Sequence, residues 1–315
     1  MTGSVTVRVP AKVNVQLAVG GRRPDGFHDL ANVFLAVGLH DKVTASPADH
    51  QDDRGGAGGP RLTVSGPDAD HVPLDDGNLA VRAARLLAER HGRDPGVRLH
   101  IAKDIPVAGG MAGGSADAAG ALLACDTLWG TRTPYPELLA LCAELGSDVP
   151  FSLAGGAALG RGRGELLEPL ETGGTFHWVF ATADGGLSTP DVYRTCDRLR
   201  EAAGGGATVE SVPDPEPSLA LLDALRRGDA AALAGELAND LQPAAVALRP
   251  ALNATLEAGL AAGALAALVS GSGPTCAFLV KDAEAGTRTA QALRASGTCR
   301  TARPASGPVR GAEVV

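Results

Sequence analysis

The sequence predicts an α+β fold in two domains, and three observations carry that reading. At roughly 150 residues per domain, 315 residues suffice for about two. Apparent strands and helices mix along the chain without the regular βαβ alternation of a doubly wound sheet. Composition also shifts beyond about residue 165, where alanine-rich helical stretches and Pro/Gly-rich segments take over. The expected division is an N-terminal domain at 1–165, a C-terminal domain at 166–295 and a frayed tail at 296–315, where large apolar groups are scarce.

The elements follow in order. Val5 to Val9 and Asn32 to Val37 are short β-branched and apolar runs and read as strands, with an Asp25-Gly26 turn between them. Residues 48–60 have almost nothing to bury and read as a surface loop, after which Arg61 to Val64 resumes a strand. Asn78 to His91 sets Leu79, Ala83, Leu86 and Leu87 on one helical face and stops at Gly92. Val97 to Ile101 alternates as a strand, and a glycine loop opening at Pro106 leads into a helix over Ser115 to Leu128. Tyr135 to Leu145 is a helix ended by Gly146, Thr175 to Ala181 is a strand, and 218–227 and 229–238 are helices. Ala258 to Val280 is uncharged and long enough to span a bilayer, but Gly259, Gly263 and Ser270-Gly271-Ser272-Gly273-Pro274 interrupt it; it reads as a buried helix, a glycine turn and a strand.

Composition narrows the function classes. Hydrophobic residues make up 44% of the chain, enough for packed cores and too much for a disordered regulator. Acids outnumber bases 36 to 28, and no basic stripe offsets the formal charge of −8, which argues against nucleic acid or an anionic membrane as partner. Small molecules are the expected partners, and the chain is expected to be a monomer or weak homodimer. Five cysteines form no CxxC pair, and their odd number cannot close a full disulfide framework, so a reducing cytoplasm is expected. Met1 to Val9 lacks the apolar run of an export signal. Seven histidines show no HxxxH or HExxH spacing, and no metal site is expected.

Four segments could carry chemistry. The strongest is Pro106-Val107-Ala108-Gly109-Gly110-Met111-Ala112-Gly113-Gly114-Ser115-Ala116, between a strand and a helix. Glycines let backbone N–H groups approach an anion, and the helix brings the positive end of its dipole to the same point. No GxxxxGK[ST] occurs and no glycine pair extends to GxGxxG, so neither a P-loop ATPase nor a Rossmann dehydrogenase is indicated. Lys12 and Asn14 lie two residues apart on one side of an extended segment; they read either as a ligand-facing pair or as a strand edge with a solubilising lysine. Asp148, between Gly146 and Pro150 among apolar neighbours, reads either as a turn or capping residue or as a carboxylate that needs a partner. Gly271, Ser272 and Gly273 form a small-residue turn that permits close approach of a backbone or a ligand. Only four lysines occur, and Lys12 and Lys103 stand out because a compact ammonium fits beside phosphate where a guanidinium fork does not.

In this order the four segments resemble the GHMP kinase superfamily, with its N-terminal Lys strand, Pro-x-x-x-Gly-rich loop and C-terminal Gly-Ser-Gly turn. The resemblance spans nearly the whole chain. Pro10-Ala11-Lys12-Val13-Asn14, Arg23-Pro24-Asp25-Gly26-Phe27-His28, Asp76-Gly77-Asn78-Leu79, Lys103-Asp104-Ile105-Pro106, Gly146-Ser147-Asp148-Val149-Pro150-Phe151 and Asn239-Asp240-Leu241 are similar to the branch whose acceptor alcohol carries a cytidine diphosphate. The resemblance implies a ribosomal-protein-S5-like N-terminal domain, a ferredoxin-like α/β plait after it, and ATP as phosphoryl donor, with Mg²⁺ bound mainly through the nucleotide phosphates.

It also implies roles. Asp148 accepts or orients the hydroxyl proton, and Lys12 neutralises charge beside it. Residues 106–116 wrap the triphosphate, while Asn78 and Lys103 line the adenosine side. Asn14 meets the substrate, His28 the cytosine edge, Tyr193 or Phe27 the cytosine face, and Gly271 to Gly273 close the floor. The family loop more often has Leu and Gly at Met111 and Ala112 and a second serine at Ala116, so Ser115 alone supplies a hydroxyl.

Overall fold

A computed structural model describes residues 3–48 and 59–315. Most of the expected 48–60 surface loop lies outside these residues. The strands are β1 (Val5–Arg22), β2 (His28–Pro47), β3 (Arg61–Ser65), β4 (Val97–Ala102), β5 (Ala157–Arg161), β6 (Leu166–Pro169), β7 (Phe176–Thr182), β8 (Ala238–Asn239), β9 (Ala266–Val269), β10 (Cys276–Val280), β11 (Thr301–Gly307) and β12 (Glu313–Val314). The helices are α1 (Leu79–Arg90), α2 (Gly113–Trp129), α3 (Tyr135–Leu145), α4 (Val149–Ala154), α5 (Thr189–Ala202), α6 (Leu219–Arg227), α7 (Ala230–Glu236), α8 (Gln242–Leu248), α9 (Ala251–Ala261) and α10 (Ala283–Ser296).

One sheet runs β12-β1-β2-β4-β3, with β5 and β6 continuing from β2 and β8 pairing with β1; the other runs β11-β7-β10-β9. β1 and β2 form a long antiparallel hairpin over an Asp25-Gly26 turn, with register shifts at Pro10/Ala11, Asn14/Gln16 and Val19/Arg22. Both strands are buried on both faces in their middle, so the period-two signal fades there; Val5 to Val9 reads as a strand at the start of β1, and Asn32 to Val37 as an apolar run in the buried middle of β2. Lys12 and Asn14 pair in regular register with Ala36 and Phe34, so strand alternation sets both toward the same space, as their spacing suggests.

Helix α2 is mostly small and apolar and buries residues on all its faces, Asp117 and Asp126 among them, which marks a helix inside the core. It lies close on the hairpin because Gly120 faces it: a Cβ there would come within 2.7 Å of Val43 and 2.9 Å of Val9. Asn78 caps α1 by accepting from the Ala80 N–H at 2.8 Å.

Two expectations are corrected. The glycine turn and the strand after it stand as expected, but the buried helix expected from Ala258 is short: α9 ends at Ala261, Gly263 turns the chain at φ +94°, and Ala266 to Val269 pair as a strand with Cys276 to Leu279. Nor is 296–315 frayed. β11 pairs along its length with β7, β12 pairs with β1, and two arginines grip aspartates of the first half. Arg300 forks onto Asp68 at 2.7 and 2.9 Å, and Arg303 onto Asp104 at 2.7 and 2.6 Å. Main-chain pairing and bidentate charge hold this segment, so its lack of large apolar groups misleads.

Candidate active site

A cavity of about 740 Å³ lies where the first hairpin, the glycine loop, helix α5 and the turn after β9 meet. That volume suits a ligand of nucleotide size.

β1 supplies the cation. Lys12 is buried, and its ammonium donates to Asn14 Oδ1 at 2.6 Å and to the Gly110 carbonyl at 3.1 Å; Asp148 Oδ2 lies 3.5 Å away. Asn14 in turn donates to Asn32 Oδ1 at 2.7 Å. Asp148 stands at the N-cap of α4, yet its side chain makes no capping bond, so the carboxylate stays free for Lys12 and the cavity. The lysine and the carboxylate, 136 positions apart in sequence, therefore converge as their residue types demand.

The loop is shaped by backbone. Ala108, Gly110 and Ala112 all take positive φ, at 51°, 75° and 60°. For the alanines this conformation costs on the order of 1–2 kcal/mol each, a strain typical of backbone aimed at a ligand. Gly110 is compelled: a Cβ there would sit 2.1 Å from the Ser270 carbonyl. The loop is thus clamped to the turn after β9, with Ser270 Oγ donating to the Gly110 carbonyl at 3.1 Å and the Thr275 N–H to the Gly109 carbonyl at 3.4 Å. Gly271 presses on the cation from the other side, since its Cβ would lie 3.2 Å from both Lys12 Nζ and Asn14 Oδ1. α2 starts at Gly113, two residues earlier than its sequence pattern suggests, and points the open N–H groups of its first turn at the cavity.

The far end of the cavity is aromatic. Phe27 is 49% exposed, with the Arg163 guanidinium 5.1 Å from its ring centre. The Tyr193 ring lies 5.0 Å from His28 at a 32° tilt, and His28 Nε2 is 2.9 Å from Asp197 Oδ1. Desolvation pushes the Tyr193 hydroxyl pKa above the usual tyrosine range, and the negative charge of Asp148 adds to it.

The structure brings Lys12, Asn14, Phe27, His28, Ala108, Gly109, Gly110, Ala112, Gly113, Gly114, Ser115, Asp148, Tyr193, Gly271, Ser272 and Gly273 to this cavity. Six expected residues do not border it. Met111 and Ala116 are core side chains, fully buried because the loop turns them inward. Pro106 and Val107 border a second hollow of about 200 Å³ on the other side of the loop. Asn78 caps α1 and donates to the Pro73 carbonyl at 2.8 Å. Lys103 is buried between Asp41 and Asp117, its ammonium 2.5 and 2.9 Å from them. Burial pulls the Lys103 pKa down, but the two carboxylates together win and raise it. Asp117, pushed up mainly by burial to about 7, keeps Oδ1 without a partner.

Sequence reading missed Asn32, Asp197 and Arg163. Asn32 becomes visible only once the hairpin register is known. Asp197 had a signal, since it follows Tyr193 by four residues on one helix face.

Comparison with known proteins fits this geometry. Models of the GHMP kinases N terminal domain and the GHMP kinases C terminal region match residues 78–156 and 221–299. A protein of Streptomyces avermitilis called 4-diphosphocytidyl-2-C-methyl-D-erythritol kinase is 70% identical over 99% of this chain and 100% of its own length. One of that name from Mycolicibacterium smegmatis is 55% identical over 100% of this chain and 93% of its own length. A crystal structure of 4-(cytidine 5'-diphospho)-2C-methyl-D-erythritol kinase superposes with a TM-score of 0.72 at 34% identity, covering 95% of this chain and 98% of that one. A homoserine kinase from Cytophaga hutchinsonii shares the fold at a TM-score of 0.73 and 20% identity, over 100% of this chain and 98% of its own. With both halves matched in chain order and relatives this similar from end to end, the chain belongs to the GHMP kinase family.

Proposed function

We propose that this protein transfers the γ-phosphoryl group of ATP to the 2-hydroxyl of 4-diphosphocytidyl-2-C-methyl-D-erythritol, a step of non-mevalonate isoprenoid precursor synthesis. One observation carries the chemistry: Lys12 Nζ and Asp148 Oδ2 meet 3.5 Å apart on the wall that the glycine loop also lines. The substrate follows from the aromatic end of the same cavity and from the name shared by relatives at 70% and 55% identity.

In this reading the triphosphate lies along 108–115 at the N-terminus of α2. Asp148 accepts or orients the proton of the attacking hydroxyl, and Lys12, 3.5 Å from it, offsets the charge of the moving phosphoryl group. Phosphoryl transfer needs little covalent help, so position and electrostatics do most of the work. Asn14, fixed by Lys12 and Asn32, meets the methylerythritol unit; Phe27, His28 and Tyr193 take the cytosine; Gly271 to Gly273 form the floor. Mg²⁺ supplies charge neutralisation when bound. The donor set fits an ion carried chiefly by phosphate oxygens, with Ser115 the one hydroxyl on the loop, and among the described residues no group of three His, Cys, Asp or Glu forms a cage. The five unpaired cysteines support work in a reducing cytoplasm, and the reading needs only one copy of the chain.

The test is ADP release across candidate alcohols. Turnover with the cytidyl substrate and none with homoserine or mevalonate is the expected result; preference for either of the latter would replace this reading with another GHMP kinase activity. Absence of saturable ATP binding would remove kinase activity altogether.

A further inference from the structure

The chain between β7 and α5 carries no side chain where it meets the glycine loop. Gly186 lies three residues before α5 begins, and a Cβ built on it would come within 2.7 Å of the methyl of Ala108, a loop residue held at φ +51°. We infer that Gly186 is a positioning residue: its bare backbone lets the Ala108 methyl seat against the chain entering α5, and so sets where the glycine loop stands relative to the Gly271 to Gly273 floor. The inference rests on the reading of 108–115 as the seat of the triphosphate and deepens it.

Both residues are exposed, so their contact adds little to the core. It matters because each partner is tied to a different part of the site. On the loop side, the Gly109 carbonyl accepts from the Thr275 N–H at 3.4 Å, and the Gly110 carbonyl accepts from Ser270 Oγ and from the Lys12 ammonium, both at 3.1 Å. On the other side, Leu187 borders the main cavity and would lie 3.5 Å from a Cβ at Gly273, and the Thr189 and Ser272 hydroxyls meet at 2.9 Å. Ala108 borders both the main cavity and the second hollow, so the pair is part of the wall between them.

Carbon atoms pack at about 3.5–4.0 Å, so a methyl group added at 186 drives one backbone back by about 1 Å. The Ala108 methyl is bonded directly to the main chain, and only backbone can give way. If the loop yields, the Gly110 carbonyl moves against Lys12; if the other segment yields, Leu187 and Thr189 leave their places on the floor. Phosphoryl transfer depends on placement, so either displacement costs rate. With the Ala108 methyl removed, the added carbon would meet the carbonyl oxygen of residue 108 at 3.4 Å and its Cα at 3.9 Å, which are ordinary contacts. The two positions therefore accept one methyl group between them.

The experiment is a double-mutant cycle on ADP release with the cytidyl substrate. In the wild-type background Gly186→Ala is expected to lower kcat/KM by about tenfold or more. Its melting temperature should move by less than about 3 °C, because the substituted site lies at the surface. Made in a chain that already carries Ala108→Gly, the same change is expected to cost less than about twofold. A gap of about fivefold or more between the two losses supports the inference, and a smaller gap overturns it. A larger melting shift overturns it as well, since the loss would then be one of folding. Amide shifts of Gly109 and Gly110 in the unliganded protein follow the loop without turnover. They are expected to move with Gly186→Ala alone and to stay in place when that change is made on Ala108→Gly; shifts that move alike in both backgrounds overturn the positioning role. Absence of turnover in wild type removes the proposed function, and the amide shifts then decide whether Gly186 places the loop.

Discussion

Two lysines flank the glycine loop and meet opposite fates. Lys12 approaches from β1, touches the Gly110 carbonyl, and faces a carboxylate 3.5 Å away whose side chain is 31% exposed. Lys103 approaches from the end of β4, and its ammonium would lie 3.1 Å from a Cβ at Gly113. It is enclosed by Asp41 and Asp117, and the other oxygen of Asp41 accepts the N–H groups of Asp104 and Ile105 at 2.6 and 2.9 Å. The same kinds of charge thus build a scaffold whose partners are all internal and a cavity wall where one partner faces open space. Where the carboxylates sit, more than burial of the cation, separates them.

The contrast can be broken from the closed side first. Replacing Lys103 by Met strands two carboxylates in the core, and the expected loss is about 3–5 kcal/mol of folding free energy, read from urea unfolding. On the open side, Asp148→Asn should fold normally and bind ATP almost as before. Its kcat should drop at least about a hundredfold; a loss under about tenfold would mean that Asp148 moves no proton.

A finer test concerns Asp117, held near 7 by burial. Its folded value lies above the unfolded one, so the native state binds the extra proton between them and stability declines as pH rises from about 4 to 7. Asp117→Asn removes that slope, and plots of urea midpoint against pH for the two proteins should converge or cross as pH rises. The smallest effect is expected at the tail. Arg300 holds the Asp68 carboxyl below the usual range, so the pair stabilises above pH 3.8 and the contribution fades as pH falls through the depressed value. Arg300→Ala should cost about 1 kcal/mol at neutral pH and less in acid, seen by thermal melts.

The open site was legible because its chemistry is local and punctuated. A lysine two residues from an asparagine, a glycine run before a helix and an aspartate between glycine and proline each stand out against their neighbours. Lys103 was legible as important but not as to what it does, since its partners come from β2 and α2 and only the sheet register brings them together. The tail failed for the opposite reason. It is held by paired backbone, by Gly307, whose Cβ would meet the Ala36 carbonyl at 2.3 Å, and by Gly311, whose Cβ would meet that of Leu153 at 2.2 Å. Small residues that look unable to pack are what let these strands come so close. Asp197 escaped notice because its spacing from Tyr193 marks a shared helix face but not the histidine 169 positions earlier that it meets.

The pairing of Val7 with Val314 joins the beginning of the chain to a point near its other end, and the Arg8 and Glu313 side chains reinforce the seam. The stretch of that strand around Val7 therefore gains its outer neighbour only after translation has passed residue 314, while Gln16 and Leu17 pair with the earlier β8. Until then the nascent protein exposes that edge, and long-range closure of this kind is the slow part of assembly. Extensions or cleavage at the carboxyl end accordingly act on the same strand that delivers the ammonium, five positions further along.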